Sequence, residues 1–450
     1  MITEHLDTTT TIVAPATAPG GAVMVIRISG DRAIAIADRL FRGRRPLSDA
    51  EGYTLHYGHI VDDKRETIDD VVVALFRAPH SYTGDDIVEI TAHGSEYITA
   101  EILRLAIEYG AVMAMPGEFT RRAFLAGKMD LSRAEAVADI IASDSRWSHN
   151  VASTQMRGGY SAKLGELRGE LLRLSSLLEL ELDFSEEDVE FADRSTLRLL
   201  LDNIGTQLTT LTSSFALGNV LKNGVTVAII GKPNVGKSTL LNALVEDDRA
   251  MVSDIAGTTR DAIEATTVID GIRYRFIDTA GIHATTDRLE QMGIERTHRT
   301  MSNASIILHL TTADEPTFED VELGPEQHYV RVVNKIDTCA KDKRYDSDVI
   351  PISAQRGMGL DMLRQHLRAL VDTSSLNAGS VVVTNMRHYA ALKSAHEALG
   401  DALKAVDNNL SGDLISEDIR RILHHLGEIT GEITSDDILH TIFSHFCIGK

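Results

Sequence analysis

Gly231, Gly236, Lys237 and Ser238 stand in the stretch GKPNVGKS and satisfy G-x-x-x-x-G-K-[ST] without a mismatch. Residues of these types at this spacing capture phosphate. The glycines let backbone N–H groups wrap an anion, the lysine gives a point charge to the outer phosphates, and the serine hydroxyl can ligate magnesium. Asn234, Val235, Gly236, Lys237, Ser238 and Thr239 are the expected contacts, although Asn234 could equally serve only to cap the loop. Later stretches select the base. FIDTAG puts Asp278 at a strand end, suited to holding magnesium through water, and continues into Thr279, Ala280 and Gly281, the last with an N–H for a γ-phosphate. In VVNKID, Asp337 can accept two N–H groups of guanine, a pairing adenine cannot make, while Asn334 and Lys335 brace base and loop. PISAQ adds Ser353 and Ala354, where a backbone N–H would meet the guanine oxygen. Four stretches in this order define a GTP-binding domain at residues 220–375.

Hydrolysis needs more than binding. SDIAGTTRD, between the first two stretches, spans Ser253, Asp254, Ile255, Ala256, Gly257, Thr258 and Thr259, and Thr259 is the expected switch threonine on magnesium. After DTAG comes Ile282, where many small GTPases carry a glutamine that orients the attacking water. An apolar residue there means the water must be oriented from elsewhere. Glu290, in TTDRLEQMGIERT, is the acidic candidate, and its plain alternative is an exposed helix residue. One of the two cysteines, Cys447, sits in the terminal FCIGK, an unusual place for a reactive thiol.

The elements that must position these groups follow from pattern. No proline occurs between Pro116 and Pro233, and the segment is rich in Leu, Glu, Ala and Arg, which predicts helix. Leu164, Leu167, Leu171, Leu174, Leu178 and Leu182 form an apolar stripe for a core-facing helix, and FSEEDVEFAD after it reads as a solvated turn. Near the C-terminus Ile438, Ile442, Phe443 and Phe446 predict a docked helix face. Before Pro116, GAVMVIRISG, DDVVVALFRAP and DDIVEITAHG are strand-like runs alternating with EYITAEILRLAIEYG, an α+β pattern. A chain of 450 residues exceeds one core, and two cysteines cannot make a disulfide framework. No run reaches membrane length and the start lacks a signal-peptide pattern, so the expectation is a cytoplasmic protein with no membrane partner. The net charge of −21 argues against nonspecific grip on nucleic acid; any RNA contact must use a local patch or a basic partner.

GKPNVGKS, DIAGTTRD, DTAGIHATTDRLEQMGIER, NKID and the terminal CIGK together resemble the MnmE, or TrmE, family of tRNA modification GTPases, within the TrmE-Era-EngA-like class, across essentially the whole chain. The resemblance implies a multidomain α/β plus all-α fold. Residues 1–119 would be an α+β tetrahydrofolate-binding and dimerisation domain. A parallel-rich GTPase domain, 220–375, would be inserted into a helical domain made of 120–219 and 376–450. It implies magnesium on Ser238 and Thr259, potassium on Asn234, Ser253, Ile255 and Thr258, and Glu290 as the acid that orients water. Arg27, Glu89, Lys128 and Lys450 match positions that hold 5-formyltetrahydrofolate or a related one-carbon folate, and Cys447 would lie near that carrier as nucleophile or proton donor, or as a plain thiol. It also implies a homodimer, the flavoprotein MnmG as partner, tRNA as substrate, and an aminomethyl or carboxymethylaminomethyl group added to carbon 5 of the wobble uridine.

The chain departs from the family in four places: a shorter glycine-rich turn in APGGAVMV, AHGS in place of GHGG, SAQ in place of SAK, and His283 in place of an arginine. None removes a phosphate, magnesium or guanine ligand. Two other readings share the GTPase stretches: a ribosome-assembly switch, which would need a basic RNA-binding module, and a folate-dependent aminomethyl carrier in which GTP is only structural.

Overall fold

The computed structural model describes residues 10–183, 194–246, 264–278, 301–302, 304–324, 327–339, 344–371 and 381–450. The acidic block 184–193 and the side chain of Leu182 fall outside these residues. Two compact units divide the chain: Met1–Ala138, Gln155–Leu197 and Ala398–Lys450 form the first, Asp139–Thr154 and Arg198–Glu397 the second.

The first unit begins with a seven-stranded sheet of β1 (Ile12–Pro15), β2 (Val23–Ser29), β3 (Phe41–Gly43), β4 (Thr54–Val61), β5 (Thr67–Phe76), β6 (Ile87–His93) and β7 (Val112–Met113), in the order β3-β4-β5-β6-β2-β1-β7. All pairs are antiparallel except β1 with β7. The three strand-like runs became β2, β5 and β6. Helices Ala33–Leu40 and Glu96–Glu108 cover the sheet, burying Ile36, Leu40, Ile102 and Leu105 against Ile26, Ile28, Val73 and Ile90.

The proline-free stretch is mostly helical from Glu118 to Asn223, as its composition predicts, with short turns between the helices, and its last residues enter the strand Val225–Ile230. Leu164, Leu167, Leu171, Leu174 and Leu178 are all buried along Gly159–Asp183, which packs with Gly412–Thr430 and its buried Ile415, Ile419, Ile422 and Leu426. Arg168 fastens the pair, donating to the Leu423 carbonyl at 2.9 Å and pairing with Glu432.

The last helix, Asp436–Ser444, starts at Ser435, whose hydroxyl accepts from the Ile438 N–H. That start fixes a phase different from the expected one. Leu439, Phe443 and Phe446 are buried with Leu131 and Ala134, and Ile442 is partly buried beside them, whereas Ile438 is exposed. The expected face was therefore right at three positions and wrong at Ile438, whose place Leu439 takes.

The second unit holds a six-stranded sheet of β8 (Val225–Ile230), β9 (Glu264–Ile269), β10 (Ile272–Asp278), β11 (Ile306–Thr312), β12 (His328–Asn334) and β13 (Val349–Pro351), ordered β13-β12-β11-β8-β10-β9. β8 lies inside, parallel to both β10 and β11, and only β9 runs antiparallel. Val225, Val227, Ala228, Ile229 and Ile230 are buried, as a central parallel strand covered on both faces requires. Ligands in such sheets bind beyond the carboxyl ends of the strands, where the chain order reverses about the central strand. The phosphate loop emerges there.

Leu171→Ala tests the stripe. Removing a side chain packed at this interface should destabilise the helix pair by about 2–5 kcal/mol, read as a lower urea midpoint with an unchanged slope; an unchanged midpoint contradicts the packing.

Candidate functional site

The loop from Gly231 to Gly236 joins β8 to the helix Lys237–Glu246, so its N–H groups and the positive end of the helix dipole share one place. Lys237 is buried, and its ammonium donates to the carbonyls of Gly231 at 2.6 Å and Lys232 at 3.0 Å. Its charge is thereby held over the loop. Ser238 and Thr239 are exposed in the first helical turn, a position from which the Ser238 hydroxyl can meet a hard cation.

Asn334 ties the guanine side of the site to this loop. Its Nδ2 donates to the Val235 carbonyl at 2.9 Å, while its Oδ1 accepts from the N–H groups of Lys335 at 2.8 Å and Ala354 at 3.0 Å. One buried carboxamide thus links the phosphate loop, NKID and SAQ. Gly236 makes the approach feasible, because its φ is +96° and a Cβ there would collide with Asn334 Nδ2. Lys335, itself at φ +62°, crosses back to the Asn234 carbonyl at 2.7 Å.

Asp337 faces Ser353 and Arg356. The Ser353 hydroxyl is the main reason its carboxyl lies below the usual carboxylate range, with Arg356, 3.3 Å from Oδ2, adding to the effect. The carboxylate expected to read guanine is therefore held in its ionised form. The backbone N–H groups expected to serve the guanine oxygen are engaged in the fold: Ser353 donates to Met358 at 2.9 Å and Ala354 to Asn334. Arg356, the residue directly after PISAQ, is not marked by any spacing.

Asp278 closes β10. Ser253, Asp254, Ile255, Ala256, Gly257, Thr258, Thr259, Thr279, Ala280, Gly281 and Glu290 lie outside the described residues.

A second cluster lies in the first unit. Arg27 on β2 and Glu89 on β6 are cross-strand partners, with Arg27 Nε and Nη2 each 2.8 Å from Glu89 Oε1. Arg27 Nη1 also donates to the carbonyl of Gly449 at 3.2 Å, across 422 positions of sequence. Its guanidinium lies 5.4 Å from the ring centre of buried Phe119 and 5.7 Å from that of Tyr82. The Tyr82 phenol meets the Thr120 hydroxyl at 3.0 Å, and its pKa is raised, chiefly by burial. Phe119 and Tyr82 were missed because no local spacing marks a ring stacked on a distant arginine.

The terminal residues fold back onto β1 and β2. Gly449 is buried so tightly that a Cβ would overlap the Pro15 carbonyl, and the Gly117 N–H donates to the Cys447 carbonyl at 3.4 Å. The Cys447 residue is exposed and Lys450 half-buried. Beside Pro15, the glycine-rich turn lines a cavity of about 150 Å³ with Thr17, Pro19, Met24 and Thr99. Lys128 binds the Pro79 carbonyl, on the loop that leads to Tyr82. Arg27 and Glu89 retain 18% and 25% of their side-chain exposure, so a ligand can reach the pair. A carboxylate that accepts ring and amino N–H groups, beside cations for a glutamate tail, suits a folate.

A loop of phosphate-binding pattern, joined through one asparagine to the carboxylate expected to read guanine, is the arrangement of a P-loop GTPase. Family models described as "MnmE helical domain" and "GTP-binding protein TrmE N-terminus" match residues 131–447 and 11–128. The tRNA modification GTPase MnmE of Bacteroides fragilis is 48% identical over 98% of this chain and 99% of its own length, and that of Cytophaga hutchinsonii 47% over 100% and 99%. Among solved structures, Aquifex aeolicus Era bound to GDP and AlF4⁻ is 27% identical, covering 38% of this chain and 66% of that one with a TM-score of 0.25. The chain belongs to the MnmE family of tRNA modification GTPases. It binds GTP and is a GTP-hydrolysing enzyme of tRNA modification.

Asp337 predicts a pH signature. Because its folded pKa is lowered, its ionised form contributes fully above the ordinary carboxylate range, and that contribution is lost only as pH falls through the lowered value. Ser353→Ala removes the main cause. Loss of GTP affinity on acidification should then begin at higher pH than in the native chain; superimposable affinity profiles would contradict the assignment.

Proposed function

We propose that this chain works with an MnmG flavoprotein to add an aminomethyl or carboxymethylaminomethyl group to carbon 5 of the wobble uridine of certain tRNAs, drawing the carbon from a tetrahydrofolate. One observation carries the reading: the C-terminal backbone is bound to Arg27, itself paired with Glu89, so that a cysteine-bearing tail adjoins a reachable ion pair suited to folate. Arg27, Glu89, Lys128 and Lys450 hold the carrier, and Cys447 acts on the uridine as nucleophile or proton donor. When bound, the folate supplies the one-carbon unit.

At the nucleotide end, Asn334, Lys335, Asp337, Ser353 and Ala354 fix the guanine, and the loop from Asn234 to Thr239 holds the phosphates. Ser238 and Thr259 hold magnesium, with Asp278 acting through water; Asn234, Ser253, Ile255 and Thr258 hold potassium. These cations supply positive charge against the charge that develops on the phosphoryl group. Ser253 to Thr259 close over the nucleotide, Thr279, Ala280 and Gly281 border the γ-phosphate, and Glu290 orients the attacking water.

GTPase domains of a cytoplasmic homodimer meet across their nucleotide faces, and their cycle gates the tail chemistry. The domains follow the segments 1–119, 120–219, 220–375 and 376–450. Dimerisation through the first is supported by exposed Leu55, Tyr57 and Val72, with Tyr57 and Val72 directly paired on β4 and β5. Among the described residues no helix is long and apolar enough to cross a membrane.

Mass spectrometry of wobble nucleosides tests the reading. Cells lacking the chain should lose carbon-5 aminomethyl-type uridines, and native protein but not Cys447→Ser should restore them. Unchanged nucleosides on deletion would contradict the function, and restoration by both would reduce the cysteine to packing. GTP turnover should be faster in potassium than in sodium and abolished by Glu290→Ala with GTP binding kept. Equal rates in the two salts would remove the potassium role, and retained turnover in the variant would remove Glu290.

A further inference from the structure

An acidic enzyme that acts on tRNA must hold a polyanion somewhere. With a net charge of −21, the average field repels RNA, so contact has to be concentrated where cations are not already spent on internal partners. Residues 39–48, RLFRGRRPLS, hold four arginines and no carboxylate. They run from the end of helix Ala33–Leu40 through β3, the edge strand of the first sheet, into the turn beyond it.

Arg42, Arg44 and Arg45 are exposed. Arg42 donates to the carbonyls of Asp38 and Phe41, at 2.9 and 2.8 Å, which orients the guanidinium without neutralising it. Of the flanking acids, the Asp38 carboxylate accepts the N–H groups of Leu47 and Ser48 to build the following turn, and Asp49, exposed just beyond the strip, makes no ion pair with these arginines among the described residues. Among the described residues, Arg44 and Arg45 have no hydrogen bond or ion pair. By contrast, Arg27 of this unit is paired with Glu89, Arg104 with Glu101 and Glu108, and Arg122 with Glu118. The edge is thus a cationic strip that the fold does not neutralise.

We propose that this strip docks the sugar–phosphate backbone of the tRNA. Guanidinium forks match phosphate oxygens in charge and geometry, and such contacts position a nucleic acid without reading its sequence. β3 lies four strand spacings from β2, roughly 19 Å. Backbone held at β3 therefore lies on the same sheet as the Arg27 pair, at a distance a folded RNA spans while its wobble base enters the tail pocket. The proposal rests on the reading of that pocket as the modification site.

The test uses the full native chain, fluorescently labelled unmodified tRNA and a salt titration. Arg44→Gln with Arg45→Gln should weaken binding about tenfold and reduce the slope of log affinity against log salt by roughly 2, one for each phosphate that no longer meets a guanidinium. Arg44→Lys with Arg45→Lys should keep most of the affinity, because the charge remains. GTP turnover without tRNA should match the native chain in both pairs, which verifies folding. Native affinity and slope in the glutamine pair would overturn the proposal, as would failure of the native chain to bind tRNA at low salt. Either outcome leaves the wobble-nucleoside measurement untouched, so failure of the strip and failure of the modification reading are separable.

Discussion

Arg27 holds Glu89 across two strands and Gly449 from the far end of the chain, and the first unit depends on that closure. A contact between residues 27 and 449 can form only if the segments before and after the nucleotide-binding sequence come together. The leucine stripe on Gly159–Asp183 does this by packing with the isoleucines of Gly412–Thr430. Leu439, Phe443 and Phe446 then seat the last helix, leaving the final four residues to lie over β1 and β2. Bringing such distant chain ends together costs conformational entropy, which the apolar burial between the helices offsets. The arginine then fixes the orientation of a tail that hydrophobic contact alone would leave loose. Phe119 and Tyr82 beside its guanidinium restrict it further.

The nucleotide site relies on a smaller version of the same arrangement. Asn334 satisfies groups from three segments at once, so loss of its carboxamide would disturb the phosphate and guanine sides together. Gly236 is glycine because that carboxamide approaches closely and because the backbone there has positive φ. The lowered pKa of Asp337 belongs to this framework too, since Ser353 comes from the same loop as Ala354.

Local chemistry was the part most legible in the sequence. The phosphate loop, the NKID stretch and the leucine stripe each show as a short spacing with one physical meaning, and the structure gives the expected loop, strand end and buried face. Non-local geometry was less legible. The amides of Ser353 and Ala354 were expected to face the guanine oxygen, yet they bond Met358 and Asn334, partners that no local spacing indicates. Ile438 was assigned to the buried face because periodicity gives a spacing but not a phase; Ser435 sets the phase by capping the helix. Arg356, Tyr82 and Phe119 carry no motif, and matter through neighbours the fold supplies. The tail's destination followed from family resemblance, because no spacing within FCIGK points to β2.

The central claim is that the chain's two ends make one folate-binding pocket. Calorimetric titration of 5-formyltetrahydrofolate into the full chain tests it most directly, comparing the native protein with Glu89→Gln and with a chain lacking Lys450. The account predicts binding to the native chain that weakens about tenfold or more in each variant, a loss of about 1.4 kcal/mol or more. Native affinity in both variants, or no binding by the native chain, would contradict it.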